Sequence, residues 1–273
     1  AKYQGSEAGH LLELIAKYPK EESNYVALIF LYSDSNQDDK AQQIAQKLEK
    51  EIPSSDWAQV SLFKFQINSN DAKSAVASMN KILKSSKIDN KIKHRVLNEF
   101  LVFAKDKPEL DADLTQSISY FDSDKKVQPA KEIGKFFHAK KAWARAAKFY
   151  ELQLKNQPDD LDTALLLLEI YISTAQFDVV ASKASALTEF YPSQPELYYD
   201  AGLAYNQLKN YKKAMEFLEV GLDYVLDDAT LEMNFNIQLG EAAAGLGDAK
   251  KKEKYFSSLM DYCRLERKWI EHI

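Results

Sequence analysis

Four prolines of this 273-residue chain recur at one fixed spacing, and that spacing limits the folds the chain can adopt. Pro19 and Pro53 lie 34 residues apart, and so do Pro158 and Pro192. The interval from Pro53 to Pro158 is 105 residues, which is three periods of 34 plus three extra residues. A period of this length is typical of a chain built from stacked copies of one small unit. We therefore predict a single repeat array over residues 1–273, with an insertion near its middle.

The residues between the prolines indicate helices rather than strands. Lys, Glu, Ala and Leu are abundant and favour helix, while Gly and Pro together number only 15. Short polar segments recur where two antiparallel helices would need a tight reversal. These segments are Ser35-Asn36-Gln37-Asp38, Asn68-Ser69-Asn70-Asp71, Lys209-Asn210 and Gly245-Leu246-Gly247-Asp248. Each unit is therefore predicted to be a helix hairpin that buries its apolar face by stacking on its neighbours.

The residues within each unit resemble the tetratricopeptide repeat (TPR) family. The clearest unit, 195–228, carries Tyr198, Ala201, Gly202, Tyr205, Tyr211, Ala214, Leu218 and Gly221 at the family's pattern positions. Small residues such as Gly202 and Ala214 fall where the two helices of a hairpin touch, so they permit a short distance between helix axes. The resemblance implies an all-α fold, a right-handed superhelix (solenoid) of tandem hairpins. The poor middle repeats followed by good ones also resemble long bacterial proteins with many such repeats.

The period also predicts where each unit begins and ends. Residues 1–21 would contain the second helix of an incomplete repeat, and 264–273 a terminal helix that covers the last hairpin. Segment 90–126 departs most from the pattern and would be either a degenerate repeat or a bend. There we predict a helix over Lys91–Lys105, a turn at Asp106-Lys107 and a second helix opened by Pro108. The regular repeats are predicted at 22–55, 56–89, 127–160, 161–194, 195–228 and 233–266.

Several functional classes are disfavoured by composition and motifs. A net charge of −5 lacks the basic excess that nucleic-acid binding requires. The four histidines are not spaced as metal ligands, and Cys263 is the only cysteine, so we expect neither a metal nor another cofactor. No nucleophile elbow or phosphate-binding loop occurs, and the longest apolar runs are too short to span a bilayer. We predict a protein that is not an enzyme.

The resemblance implies that the first helix of every hairpin lines a concave groove. Helical spacing places the basic residues around positions 91–98 on one face, and those around 131–138 on the next, which would make the middle of the groove basic. Farther along, matching positions are acidic, with a Tyr-Leu platform. The predicted partner-binding residues are Lys91, His94, Arg95, Asn98, Lys131, Lys135, His138, Glu169, Tyr199, Asp200 and Asn206.

Three functions remain open from the sequence. The favoured one is a protein-interaction scaffold that binds a peptide or partner protein in the groove. Alternatives are a self-assembling spacer of a larger exported bacterial protein, suggested by the unpaired first helix, and a receptor for a peptide or small ligand. Binding of a chaperone C-terminal tail is disfavoured, because Asp162 and Leu166 stand where such a clamp has Lys and Arg, and Glu132 stands where it has Asn. The chain begins with Ala1, so an upstream segment could be missing, and we favour the periplasm or cell envelope over the cytoplasm.

Overall fold

The protein is described by a computed structural model that covers residues 2–121 and 128–257. The described residues form α-helices and short 3₁₀ segments, with no strand among them, as the sequence predicts. The chain divides into two compact units, Ala1–Pro129 and Ala130–Ile273. Cys263 and the predicted terminal helix at 264–273 lie outside the described residues.

The first unit is a succession of helices that pack against their neighbours in the chain. Helix α1 precedes two regular hairpins, α2 with α3 and α4 with α5, and α6 follows. The bounds are α1 (Lys2–Lys17), α2 (Glu22–Asp34), α3 (Asp38–Glu51), α4 (Asp56–Asn68), α5 (Ala72–Lys84), α6 (Asn90–Phe103) and α7 (Asp111–Ile118).

The second unit contains the most regular hairpins, namely α8 with α9, α10 with α11 and α12 with α13. The long helix α14 and a helical segment at 249–257 follow them. Helix α14 begins at Ala229, four residues before the predicted start of its repeat, so the extra residues of this repeat form its first turn. The bounds are α8 (Pro129–Ala139), α9 (Trp143–Asn156), α10 (Leu161–Ser173), α11 (Phe177–Phe190), α12 (Pro195–Gln207), α13 (Tyr211–Leu222) and α14 (Ala229–Leu246).

The reversal inside each regular hairpin uses one residue with a left-handed backbone. In the first hairpin the amide of Asn36 donates to the carbonyl of Ser33, and that of Gln37 donates to Tyr32. This is the Schellman pattern, which satisfies the last carbonyls of a helix. The left-handed residues at these reversals are Asn36, Asn70, Lys141, Ala175, Lys209 and Gly247, and Asp227 has the same backbone conformation between α13 and α14. Asn36 and Asn70 lie one 34-residue period apart, and so do Lys141, Ala175 and Lys209 in turn. The interval from Asn70 to Lys141 contains the three-residue insertion in the middle of the chain, and the interval from Lys209 to Gly247 contains the four-residue insertion of the last repeat.

Glycines lie where the two helices of a hairpin approach most closely. A Cβ on Gly202 would collide with Leu218, and one on Gly134 would meet the Tyr150 ring at 2.5 Å. The prediction that Gly202 marks a close helix contact is therefore confirmed. Ala214, the other small residue singled out in that hairpin, is fully buried.

The same tyrosine–proline bond closes the junction between hairpins in both units. The Tyr25 hydroxyl donates to the Pro19 carbonyl at 3.0 Å, and the Tyr198 hydroxyl donates to the Pro192 carbonyl at 3.0 Å. Both rings are buried, so the hydroxyl needs such a partner. Each bond joins the start of a first helix to the proline that follows the preceding second helix.

The degenerate segment differs from the regular hairpins in its second half. Helix α6 ends at Phe103, and its capping residue Ala104 keeps a right-handed backbone with φ −84°, so the left-handed turn is missing. Pro108 opens only a 3₁₀ turn, Pro108–Leu110, which runs into the short helix α7. The predicted helix opened by Pro108 is thus divided into short pieces. Residues 122–127 of this segment lie outside the described residues.

Candidate partner-binding surfaces

The first helices of the first unit enclose a cavity of about 270 Å³, which we call the unit 1 cavity. Helices α2, α4 and α6 contribute its lining. Ile29 and Val96 are buried, while Trp57 and Phe65 are half-buried. Phe30 keeps 49% of its surface exposed, and its ring meets that of Trp57 edge-on with centroids 6.5 Å apart. The other lining residues are Val26 and Val60 and a polar group, Ser33, Asp34, Ser61, Lys64, Arg95 and Glu99. A cavity that combines a partly exposed aromatic pair with polar side chains is a typical recognition feature.

A more open cleft of about 670 Å³, the basic cleft, adjoins the unit 1 cavity and shares Lys64, Arg95 and Glu99 with it. Its lining includes all four predicted binding residues of helix α6. These are Lys91, His94, Arg95 and Asn98. The structure therefore brings these four together on one surface.

Positive charge exceeds negative charge in the basic cleft. Arg95 Nε lies 3.8 Å from Glu99 Oε1, and both side chains are well exposed. Lys64 and Lys91 have no carboxylate within 4.0 Å among the residues that the structure describes. Three cationic side chains thus face one carboxylate in this cleft. The His94 ring also packs on Phe121, with centroids 4.8 Å apart.

Lys131 is buried, whereas a residue that contacts a partner must be accessible. Its ammonium lies 3.0 Å from Asp160 Oδ1 and 3.6 Å from Asp162, and only 9% of its side chain is exposed. Burial opposes ionisation of Asp160, yet hydrogen bonds from Thr163, Lys131 and Gln153 outweigh it and hold its pKa below the ordinary value. Lys131 therefore joins helices α8 and α10 inside the second unit.

The other two basic residues of α8 differ in exposure. Lys135 is exposed and lies 3.5 Å from Glu132 on its own helix. His138 is mostly buried, with Nδ1 3.2 Å from the Tyr150 hydroxyl and Nε2 3.7 Å from Glu169 Oε1. Burial, followed by the charges of Glu169 and Glu132, raises the pKa of Tyr150 to about 12. His138 thus helps to pack the hairpin, while Lys135 stays available to a partner.

Carboxylates converge around Asp200 on the first helices of the second unit. Burial, followed by the charges of Glu196 and Glu169, raises the pKa of Asp200 to about 7. Burial and the charges of Asp200 and Glu241 also raise the pKa of the neighbouring Tyr199. The carboxylates of Glu169, Glu196 and Glu241 thus lie close enough to Asp200 or Tyr199 to oppose their ionisation.

Asn206 is buried and bonded within the fold. Its Nδ2 donates to the Gln238 carbonyl at 2.8 Å and to Gln238 Oε1 at 3.0 Å. These two bonds tie α12 to α14, which gives Asn206 a structural role.

The aromatic residues of the unit 1 cavity were not among the predicted binding residues. Phe30 belongs to an apolar run, Tyr25–Tyr32, whose other members are buried or half-buried except for the small residue Ala27. An apolar residue that lies off the buried face of such a helix was the available signal. Trp57 lies in the first turn of α4, and its position in the sequence did not indicate that it would contact Phe30.

Neither a metal centre nor a membrane span is found in the described part of the chain. Over 2–121 and 128–257, no group of three His, Cys, Asp or Glu side chains is arranged to hold a metal ion. None of the helices described is long and apolar enough to cross a bilayer.

Similarity to known proteins is found among solved structures, whereas no protein-family model and no curated protein sequence matches the chain. MamA from Desulfovibrio magneticus RS-1, residues 41 to the end, is 17% identical with a TM-score of 0.47, over 76% of this chain and 96% of that one. PilF of Pseudomonas aeruginosa is 15% identical with a TM-score of 0.34, over 88% and 91%. YrrB, described as a TPR protein with an unusual peptide-binding site, is 18% identical with a TM-score of 0.30, over 83% and 97%.

The fold follows from features of this chain itself. Antiparallel hairpins recur with a 34-residue period, a left-handed residue ends each regular first helix, and glycine lies at the closest helix contact in two of the hairpins. Junction prolines accept hydrogen bonds from tyrosines of the following hairpin. The described part of the chain therefore folds as tandem antiparallel helix hairpins, the all-α repeat fold of the tetratricopeptide type.

Proposed function

We propose that this protein is a non-catalytic interaction scaffold that binds a peptide or a segment of a partner protein on the first helices of its first unit. The observation that carries this proposal is the unit 1 cavity, which is lined by partly exposed aromatic side chains and adjoins the basic cleft. Burial of apolar surface supplies about 25 cal/mol per Å². A ligand that covers Phe30 and Trp57 would gain binding energy, and nearby charges would orient it.

The predicted binding residues divide into two groups on this view. Lys91, His94, Arg95 and Asn98 remain proposed contacts, because they line the basic cleft. Lys135, Glu169, Tyr199 and Asp200 remain proposed contacts of a second surface in the second unit. We assign structural roles to Lys131, His138 and Asn206, whose side-chain nitrogens are bonded within that unit.

The test is affinity capture from a lysate of the source organism with two matched variants. Phe30→Glu places a charge in the unit 1 cavity. Val220→Glu places the same charge on the second unit, where Val220 is 45% exposed, close to the 49% of Phe30. We expect Phe30→Glu to lose the captured protein and Val220→Glu to retain it, with both variants melting like the native protein. Equal capture by Phe30→Glu would contradict the proposal.

Self-assembly is a second candidate, favoured by apolar side chains that the second unit leaves exposed. Phe190 is 76% exposed and Leu226 is 83% exposed. Light scattering over a wide concentration range tests this function. A dimer that the double variant Phe190→Glu, Leu226→Glu converts to monomer would support it, and a native monomer at every concentration would exclude it for this chain.

A further inference from the structure

We infer that the segment bound at the unit 1 cavity is acidic and inserts one large apolar side chain into the cavity. This inference rests on the proposed function and specifies its ligand. It follows from the size of the cavity, the chemistry of its lining and the charge of the cleft beside it.

The volume of the cavity fits one side chain. An apolar cavity of about 150 Å³ is known to hold benzene, whereas pockets for drug-sized ligands begin at about 300 Å³. The unit 1 cavity, at about 270 Å³, lies between these limits. It has room for one aromatic or long aliphatic side chain and is smaller than a typical pocket for an entire small molecule.

The lining selects an apolar group for this position. Val26, Ile29, Phe30, Trp57 and Phe65 contribute carbon surface from helices α2 and α4. A polar side chain that packed on this carbon surface without reaching Ser33, Asp34 or Ser61, which also line the cavity, would lose its hydrogen bonds to water, at a cost of about 1–3 kcal/mol. An aromatic ring would instead extend the edge-on arrangement that Phe30 and Trp57 already form.

The basic cleft selects the charge of the residues that flank the inserted side chain. Lys64, Lys91 and Arg95 line it, against the single carboxylate of Glu99, which Arg95 already neutralises in part. The chain as a whole carries a net charge of −5, so this cleft differs in sign from the molecule's overall charge. Carboxylates of a bound segment would therefore be attracted to the cleft, whereas a basic segment would face repulsion there.

The experiment uses the complete protein and a matched set of short fluorescein-labelled peptides. The reference peptide has a central phenylalanine flanked by glutamates, and its three relatives replace the phenylalanine by alanine, the glutamates by lysines, or the glutamates by glutamines. Fluorescence polarisation at low salt gives each Kd. We expect the reference peptide to bind about tenfold more tightly than each relative.

Charge variants identify the surface that binds. Lys64→Glu with Lys91→Glu reverses the charge of the basic cleft, whereas Lys47→Glu with Lys81→Glu makes the same charge change on exposed positions of the second helices α3 and α5. The cleft variant should weaken binding of the reference peptide about tenfold and improve binding of the lysine peptide. The control variant should leave the preference for the reference peptide unchanged.

The outcomes distinguish this inference from the function on which it rests. Binding of no peptide, equal binding of the lysine or alanine relative, or an unchanged preference in the cleft variant would each overturn the inference. If Phe30→Glu nevertheless abolishes capture from lysate, the scaffold function stands with a ligand of different chemistry. If capture does not depend on Phe30, both proposals fail together.

Discussion

The two units place different chemistry at the same repeat position. Val26, Val60 and His94 occupy one column of first-helix positions, separated by 34 residues, and line the cavity or the cleft of the first unit. Lys131 is the next member of this column after the three-residue insertion, yet its ammonium is buried against Asp160. The charge at a repeat position therefore does not say whether it serves binding or folding. Its role depends on whether the first helix of the following hairpin places a carboxylate beside it, as Asp160 at the start of α10 does for Lys131.

The largest effect is expected when the buried pair of the second unit is broken. Lys131→Ala leaves Asp160 buried without its cation, and loss of one partner of a buried pair costs about 3–5 kcal/mol. Hydrogen exchange of the α8–α10 amides measures this locally. Lys135→Ala, on the same helix but exposed, is the control and should cost at most about 1 kcal/mol. Equal destabilisation by Lys131→Ala and Lys135→Ala would contradict the structural role of the Lys131–Asp160 pair.

A smaller effect should come from the acidic surface of the second unit. The pKa of Asp200 is raised from 3.8 to about 7, so the folded state binds its proton more tightly than the unfolded state does. Its contribution to stability is fully present below pH 3.8 and is lost as the pH rises through about 7. The full shift corresponds to roughly 4 kcal/mol, and solvent screening of this half-buried carboxyl reduces it, so Asp200→Asn should raise the free energy of unfolding at pH 8 by about 2 kcal/mol.

The pH dependence provides the check on that prediction. Urea unfolding at pH 5 and pH 8, on either side of the Asp200 pKa of about 7, should show a variant whose advantage in stability over the native protein grows with pH. An Asp200→Asn advantage that is the same at both pH values would contradict a raised pKa at this carboxyl.

The close helix contact of the second unit predicts an effect of similar or smaller size. Gly202→Ala adds a methyl group that collides with Leu218, and such overpacking costs about 1–3 kcal/mol. Gly9→Ala is the matched control, since nothing lies within 4 Å of its added Cβ in helix α1. There alanine should stabilise the helix by about 0.5–1 kcal/mol. Thermal unfolding should show a lower Tm for Gly202→Ala and a higher Tm for Gly9→Ala than for the native protein.

The smallest effect on stability is expected at the basic cleft. Lys64→Ala with Lys91→Ala removes exposed cations that no described carboxylate pairs with, so the free energy of unfolding should change by no more than about 0.5 kcal/mol. Binding of the acidic reference peptide should nevertheless weaken. Marked destabilisation by this pair would mean that these lysines, like Lys131, serve the fold.

Much of the fold was predictable because its determinants are local or periodic. The prolines recur every 34 residues, from one hairpin to the next. The polar turns and the contact of Gly202 with Leu218 involve residues of a single hairpin. The broken second helix after Pro108 was not predicted, because short helical pieces depend on packing rather than on propensity. Ala175 in a left-handed turn was equally unexpected, since glycine or asparagine is favoured there.

By itself, the sequence determined the all-α class, the repeat period and the hairpin turns of this protein. It also placed four basic and polar residues of α6 on one face, because helical spacing fixes which residues of one helix lie together. Only the tertiary structure decided that Lys131 is buried in an ion pair, that Asn206 joins two helices, and that Phe30 meets Trp57 beside a cavity. These outcomes depend on contacts between different helices, and the free energy of a charge or an aromatic ring is set by the neighbours that packing brings to it.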